Sequence, residues 1–295
     1  MAQLHADCQM VLGFPDSAQR GAVSAPRAVR RIALSLIRRP LRPEAVVDLG
    51  PAGRMLVDLN TPFGLGLYRY GIRDPAARLM QALLHPGDIV IDGGANFGMF
   101  SLLAAATVGP TGRVIACEPV PGTAARVRLN ARLSDFSTIE IHEVALSDVC
   151  GTASLVVFSA NSALASFAPY DDGDTSIDVE LTTLDELPGT TGGVALIKLD
   201  IEGAEVKALR GSQRLLRGGP MLLVEVERGH LERQGTSPED LRVLLEKHGY
   251  EAFAITAAAR LRRLSGPWEP PDPANPNLLL APPARADRLV PLTDA

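Results

Sequence analysis

From residue 88 onward the chain alternates short apolar, β-branched runs with stretches whose apolar positions recur at helical spacing. The runs predict strands over Asp88–Asp92, Arg113–Glu118, Ile139–Leu146, Val194–Asp200, Met221–Glu227, Tyr250–Ile255 and Asn277–Ala281, with helices between them. Strands that alternate with helices read as an α/β fold with a parallel sheet. Two helices have sharp limits. One, Met99 to Val108, follows the first strand; the other opens at Ser237, where Pro238 suits the first helical position and Asp240 completes an S-x-x-D cap, and stops at Gly249. Between the third and fourth strands residues 151–193 form an insertion, with strands expected at Ala153–Phe158 and near Ile177–Leu181 around a polar loop, 161–175. Such insertions lie over or beside a site and suit substrate selection.

The first 78 residues read differently. Glycines and prolines punctuate residues 1–43 around one amphipathic pattern, Arg27 to Arg39, in which Ile32, Leu34, Leu36 and Ile37 stand among arginines. A basic amphipathic helix suits a membrane surface or a partner, but this one is expected to pack on its own domain or on a second copy of the chain, in which case it is a route to a homo-oligomer. Residues 45–59 predict a hairpin broken at Pro51 and Gly53; Tyr68 to Leu84 predicts a loop running into a helix that stops at Pro86-Gly87. The expected organisation is an N-terminal extension, 1–78, and one α/β domain, 79–295, whose proline-rich stretch Gly266 to Pro276 is a loop.

Composition narrows the function classes. A hydrophobic fraction of 46% and a charged fraction of 21% exclude wholesale disorder and fibrous repeats. The formal net charge of −5 supplies no global positive field for a nucleic-acid backbone. Cys8, Cys117 and Cys150 are too scattered for a disulfide framework or a zinc ribbon, and no metal ligand set is read. With no leader pattern and no membrane-length apolar run, the expected address is the cytoplasm.

The candidate chemistry sits at the ends of the predicted strands. Ile89-Val90-Ile91 runs into Asp92-Gly93-Gly94-Ala95-Asn96-Phe97-Gly98, a glycine-rich turn that brings helix N–H groups toward a ligand. Ala95 stands where a dinucleotide fingerprint needs the glycine that admits a pyrophosphate. Read as acidic-x-Gly-x-x-x-Gly, with Asp92, Gly94 and Gly98, the turn instead suits S-adenosylmethionine. Glu118, before Pro119 at the end of the second strand, is positioned to accept two ribose hydroxyls, in either cofactor. The fourth strand ends in Lys198-Leu199-Asp200-Ile201-Glu202, with Lys198 and Asp200 on one face and able to pair. Glu225 and Glu227 end the fifth strand on one face, and His230 follows on a loop beginning at Gly229. Ligands of open α/β sheets bind beyond these strand ends, so Asp200, Glu202, Glu225 and His230 are the candidates for catalysis, with Asp200 foremost.

The blocks DGGANFG at Asp92–Gly98, CEPVPG at Cys117–Gly122, Asn130, VALSD at Val144–Asp148, TTLDEL at Thr182–Leu187 and IKLDIEGAE at Ile197–Glu205 together resemble the FkbM family of S-adenosylmethionine-dependent methyltransferases. The resemblance runs from about Leu79 to Leu280. It implies a class I, Rossmann-like, seven-stranded and mostly parallel sheet with helices on both faces, and a last strand, Asn277–Ala281, antiparallel beside the fifth. It also implies methylation of a hydroxyl on a small molecule such as a polyketide or a sugar. The cofactor residues it carries over are Asp92, Gly93, Gly94, Ala95, Asn96, Gly98, Glu118, Pro119, Ala145 and Asp200. Where many relatives have a histidine directly after the glutamate that ends the fifth strand, this chain has Glu225-Val226-Glu227-Arg228, which leaves the general base open. Two other readings compete: an NAD-dependent oxidoreductase, favoured by Glu118 and disfavoured by Ala95, and a non-catalytic interaction protein, disfavoured by the intact glycines and acidic strand ends.

Overall fold

A computed structural model describes residues 43–157, 165–166 and 175–293. The expected helix over 27–39 and most of the loop over 161–175 lie outside the described residues. The described residues divide into two compact units, one taking in residues 43–46 and Val57–Gly71, the other Val47–Leu56 and residues 72–293. Among the described residues no helix is long and apolar enough to cross a membrane.

The hairpin is present, with β1 (Glu44–Asp48) and β2 (Arg54–Asp58) forming a two-stranded sheet around a 3-10 turn at Gly50–Ala52. In the first unit, α1 (Pro62–Tyr70) occupies sequence expected to be loop from Tyr68 onward. Gly64 and Gly66 hide it from a propensity reading, yet Thr61 Oγ1 caps it by accepting the Gly64 N–H at 2.9 Å. Gly64 has its own reason to be there, since a Cβ would overlap the Asp58 carbonyl. In the second unit α2 (Pro75–Leu83) is capped by Asp74, which accepts the Ala76 N–H at 2.8 Å.

The remaining strands, in chain order, are β3 (Ile89–Gly93), β4 (Arg113–Cys117), β5 (Ile139–His142), β6 (Val144–Leu146), β7 (Gly151–Val157), β8 (Ala165–Ser166), β9 (Thr175–Thr182), β10 (Val194–Leu199), β11 (Met221–Glu225), β12 (Glu251–Ile255), β13 (Leu261–Arg263) and β14 (Asn277–Ala281). The helices that concern the site are α3 (Met99–Val108), α4 (Pro121–Leu133), α5 (Glu205–Arg210), α6 (Gln213–Arg217), α7 (Arg228–Arg233) and α8 (Pro238–Glu246).

The main sheet runs β13-β12-β14-β11-β10-β3-β4-β5. Pairing is parallel from β11 through β10, β3 and β4 to β5. The seven expected strands all stand in it, β14 lies antiparallel between β11 and β12, and β13 extends the edge as an eighth. Every residue of the central β10 is buried, and its Ile197 and Leu199 pack with Ile91, Ile115, Leu222 and Val224 of the neighbouring strands. The chain leaves β3 toward β4 on one side and later returns as β10 on the other, which opens a crevice at the strands' carboxyl ends.

Two boundaries differ from expectation. The third strand breaks after His142: β5 stays in the main sheet, while β6 pairs parallel with β9 in a second sheet of order β6-β9-β7-β8. The period-2 pattern of Ile139–His142 breaks at His142-Glu143, but a local pattern does not tell which partner each half finds. The fifth strand ends at Glu225, and Glu227 is the N-cap of α7, so His230 lies on a helix and not on a loop. The cap of α8 is as expected, with Ser237 Oγ accepting the Asp240 N–H at 3.1 Å.

Candidate active site

The turn after β3 is held by main-chain contacts. Gly94 (φ +72°) and Gly98 (φ +90°) have left-handed backbones that favour glycine. A Cβ on Gly94 would overlap the Asp200 carbonyl oxygen, and one on Gly98 would meet Val127 of α4 at 3.1 Å. The glycines thus serve packing between chain segments as much as access for a ligand. Gly94 and Ala95 donate their N–H groups to the Cys117 carbonyl at 3.0 and 3.1 Å. Asn130, on α4, donates from Nδ2 to the Phe97 carbonyl at 2.9 Å and accepts the Leu56 N–H at 2.8 Å, tying the turn to β2.

Glu118 joins two strand ends. Its Oε2 accepts the Asn96 N–H at 2.9 Å and its Oε1 the Val120 N–H at 3.0 Å. Burial pushes its carboxyl up to about 7 against the pull of those two N–H groups. Asn96 is itself left-handed (φ +51°), and its Oδ1 is buried with no hydrogen-bond donor among the described residues.

Beneath the turn lies a buried charge network. Asp92 accepts the Ser101 hydroxyl at 2.6 Å and pairs with Lys198 Nζ at 3.4 Å. Lys198 also donates to the Gly94 carbonyl at 2.9 Å, pairs with Asp200 at 3.5 Å and lies 5.1 Å from the Phe100 ring centre. Burial works against its charge, but Asp200, Asp92 and Glu225 outweigh that and hold its pKa above the ordinary lysine range. The expected Lys198–Asp200 pair is there, and the register that sets Lys198 beside Asp92 makes it one arm of a larger network.

The acidic end is built on the turn after β10. Fully buried Glu205 accepts the Ile201 and Gly203 N–H groups at 2.9 and 3.2 Å and so shapes the turn that presents Glu202 (φ +56°). A Cβ on Gly203 would overlap the His230 carbonyl, so turn and α7 meet through main chain. His230 Nδ1 lies 3.2 Å from Glu202 Oε2 and 3.8 Å from Glu225 Oε2, while Nε2 lies 3.3 Å from Glu227 Oε1. Burial opposes the imidazolium, but Glu225, Glu202 and Glu227 prevail and lift its pKa to about 9. Burial, reinforced by the charge of Asp200, pushes Glu202 up to about 7 and holds Glu225 well above the usual carboxylate range.

These shifts fix a sign for pH. The stability contributed by His230 is complete below its ordinary 6.5 and is lost as pH rises through about 9. Glu118, Glu202 and Glu205, raised from 4.5 to about 7, favour the folded state while protonated and weaken it as they ionise across that interval. Both effects run the same way, so the melting temperature of the ligand-free protein should fall between about pH 5 and pH 9. Scanning calorimetry across that range checks this, and a rising Tm would contradict it.

One cleft gathers much of the site. Of the sequence-derived candidates, Gly94, Asn96, Glu118, Pro119, Ala145, Asp200 and Glu202 line it. Asp92, Gly93, Ala95, Gly98, Glu225 and His230 lie outside the lining. Cys117, Val144, Leu146, Leu155, Ile201 and Ala204 complete the wall, and sequence reasoning passed over them because an apolar wall residue reads like core. Glu205 was missed as a shaping residue, although the E-x-x-E spacing carries the signal, and Lys198 was expected only as the partner of Asp200. Among the described residues no three His, Cys, Asp or Glu side chains form a group that could hold a metal.

A mostly parallel sheet with an antiparallel strand inserted beside the fifth, and a crevice at its switch point bearing an acidic glycine turn and a strand-end carboxylate, defines the class I methyltransferases. The cofactor of that class is S-adenosylmethionine. Residues 92–252, more than half of the chain, match the methyltransferase FkbM domain, and the chain belongs to that family. It is 27% identical over 248 residues to the AMB antimetabolite synthetase AmbE of Pseudomonas aeruginosa, a match covering 70% of this chain and only 11% of that protein. It is 27% identical over 193 residues to the 31-O-demethyl-FK506 methyltransferase FkbM of Streptomyces tacrolimicus, covering 55% of this chain and 73% of the relative. A crystal structure of a methyltransferase FkbM from Methylobacillus flagellatus aligns with a TM-score of 0.47 and 17% identity, over 76% of this chain and 52% of that one.

Proposed function

We propose that the chain moves a methyl group from S-adenosylmethionine to a hydroxyl oxygen of a small molecule of the secondary-metabolite kind, such as a polyketide, a sugar or a glycosylated product. The observation that carries this is a single cleft lined by Gly94, Asn96 and Glu118 on one side and by Asp200 and Glu202 on the other. The Streptomyces relative, named for methylation of 31-O-demethyl-FK506, supports an oxygen acceptor.

The residues fit the cofactor. The donor-free Asn96 Oδ1 asks for a ligand donor, and Glu118, already bonded to two N–H groups, keeps lone pairs for ribose hydroxyls. Gly94, Asn96, Glu118, Pro119, Ala145 and Asp200 would hold it, with Asp92, Gly93, Ala95 and Gly98 supporting the turn. When bound, it supplies an electrophilic methyl group on sulfur. The chain's part is to align the acceptor oxygen, exclude water and take the hydroxyl proton. Asp200 is already paired with Lys198 at 3.5 Å, so its carboxylate is engaged in that ion pair. Glu202, lining the cleft with a pKa near 7, is matched to neutral-pH proton abstraction, and His230 and Glu225 support it. The reading assigns the enzyme to the cytoplasm on its free cysteines and gives it no nucleic-acid partner on its net charge of −5, with residues 27–39 as the route to self-association.

Labelled cofactor incubated with 31-O-demethyl-FK506, a methyl glycoside and a hydroxylated peptide should yield a methyl ether from at least one; transfer to nitrogen alone, or none, would overturn the proposal. S-adenosylhomocysteine should raise the Tm and NADH should not. Glu118→Ala removes charge-assisted hydrogen bonds worth about 1.5–3 kcal/mol, so its Kd for S-adenosylhomocysteine should rise roughly ten- to hundredfold. An unchanged Kd by calorimetry would take Glu118 out of the cofactor site.

A further inference from the structure

We propose that His230 carries the proton of each turnover out of the cleft, from Glu202 on its Nδ1 side to Glu227 and solvent on its Nε2 side. The inference rests on the hydroxyl-acceptor reading above and assigns a role to Glu227, which takes no part in that reading.

The geometry is a graded bridge. Glu202 lines the cleft, whereas His230 and Glu227 do not. Side-chain exposure is 17% at Glu202, 17% at His230 and 50% at Glu227, so the path runs from an enclosed carboxylate through an enclosed ring to an open carboxylate. The two ring nitrogens each face a carboxylate, at 3.2 Å and 3.3 Å. Glu225, at 3.8 Å, adds charge on the Nδ1 side, and Asp200 and Glu205 lie in the same turn as Glu202. Glu227 makes no side-chain bond to the first turn of α7 although it is the N-cap, so its carboxylate is not spent on capping.

The reaction needs such a path. Methylation of an alcohol forms one O–C bond and breaks one S–C bond, whose electron pair stays on sulfur; the O–H electron pair stays on oxygen, and one proton is set free. Glu202 receives it in an enclosed site. Once Glu202 is neutral, part of the field that held the imidazolium is gone, and the ring gives its Nε2 proton to Glu227 and water. Glu202 then passes the acceptor's proton to the ring nitrogen left bare, once the ring has reoriented, which restores the imidazolium and the carboxylate. A merely structural ion pair would hold α7 to the turn and carry no proton.

The test follows the proton itself. A single turnover is run in lightly buffered solution with a pH indicator, using whichever alcohol of the panel has the highest kcat/KM, and ether formation is timed by quenching. In the wild type the proton should reach solvent with the ether. In Glu227→Gln and His230→Gln, which keep hydrogen-bonding shape, it should lag the ether by about tenfold or more, and imidazole in the buffer should abolish the lag. Glu232→Gln, on the same helix but paired with Arg228, should keep wild-type timing. In the ligand-free protein, nitrogen NMR of His230 should show Nε2 responding to Glu227→Gln and Nδ1 to Glu202→Gln. Proton release in step with ether in both variants overturns the relay and leaves the proposed function standing. A wild type that forms no ether from any alcohol overturns the function and the relay with it.

Discussion

Lys198→Met should be the most destabilising single change in the second unit, costing about 3–5 kcal/mol, because removing one partner of a buried ion pair strands the other. Lys198 and Asp92 are 3% and 1% exposed, so neither has water to fall back on. The substitution would leave Asp92 with only the Ser101 hydroxyl and would also strip a donor from the Gly94 carbonyl. Urea unfolding should show a midpoint far below wild type with an unchanged slope, and Lys198→Met combined with Asp92→Asn should recover part of the loss. A midpoint equal to wild type would mean that the pair contributes nothing. Cofactor binding should weaken in parallel, since the same ammonium supports the turn.

The second large effect concerns chemistry and not the fold. Glu202→Gln preserves shape and removes the proton acceptor, so kcat and kcat/KM should fall together by roughly 10²–10⁴ while the Kd for S-adenosylhomocysteine stays near wild type. Asp200→Asn should show the opposite split, weakening cofactor binding more than turnover. If Asp200→Asn loses the larger factor in kcat and Glu202→Gln loses almost none, the base is the carboxylate paired with Lys198.

Much of this was legible in the chain because punctuated apolar runs have one solution. Asn277–Ala281 and Met99–Val108 appear with the expected limits, each bounded by proline, glycine or a change of period. What was not legible after His142 was partner choice, because β6 pairs with β9, some thirty residues on, which a local pattern does not encode. The site shows the same division. Asp200, Glu202, Glu225 and His230 were recognisable as strand-end chemistry, and the structure brings Glu202, Glu225 and His230 together. What stayed hidden was which of them face the cleft, since that follows from the left-handed turn at Glu202 and from α7 beginning at Arg228. Glu227 and His230 at three-residue spacing were a readable pair only once that stretch is helical.

The glycine turn after β3 and the acidic turn after β10 meet largely through main chain. Gly94 lies against the Asp200 carbonyl, the Asp200 N–H donates to the Gly93 carbonyl at 3.2 Å, and Lys198 reaches the Gly94 carbonyl from below. Under the proposed reading, the cofactor side and the proton-accepting side of the cleft are therefore joined through main chain. Under the same reading, room for acceptors of different bulk would come from the other wall of the cleft, where Ala145, Leu146 and Leu155 belong to the second sheet.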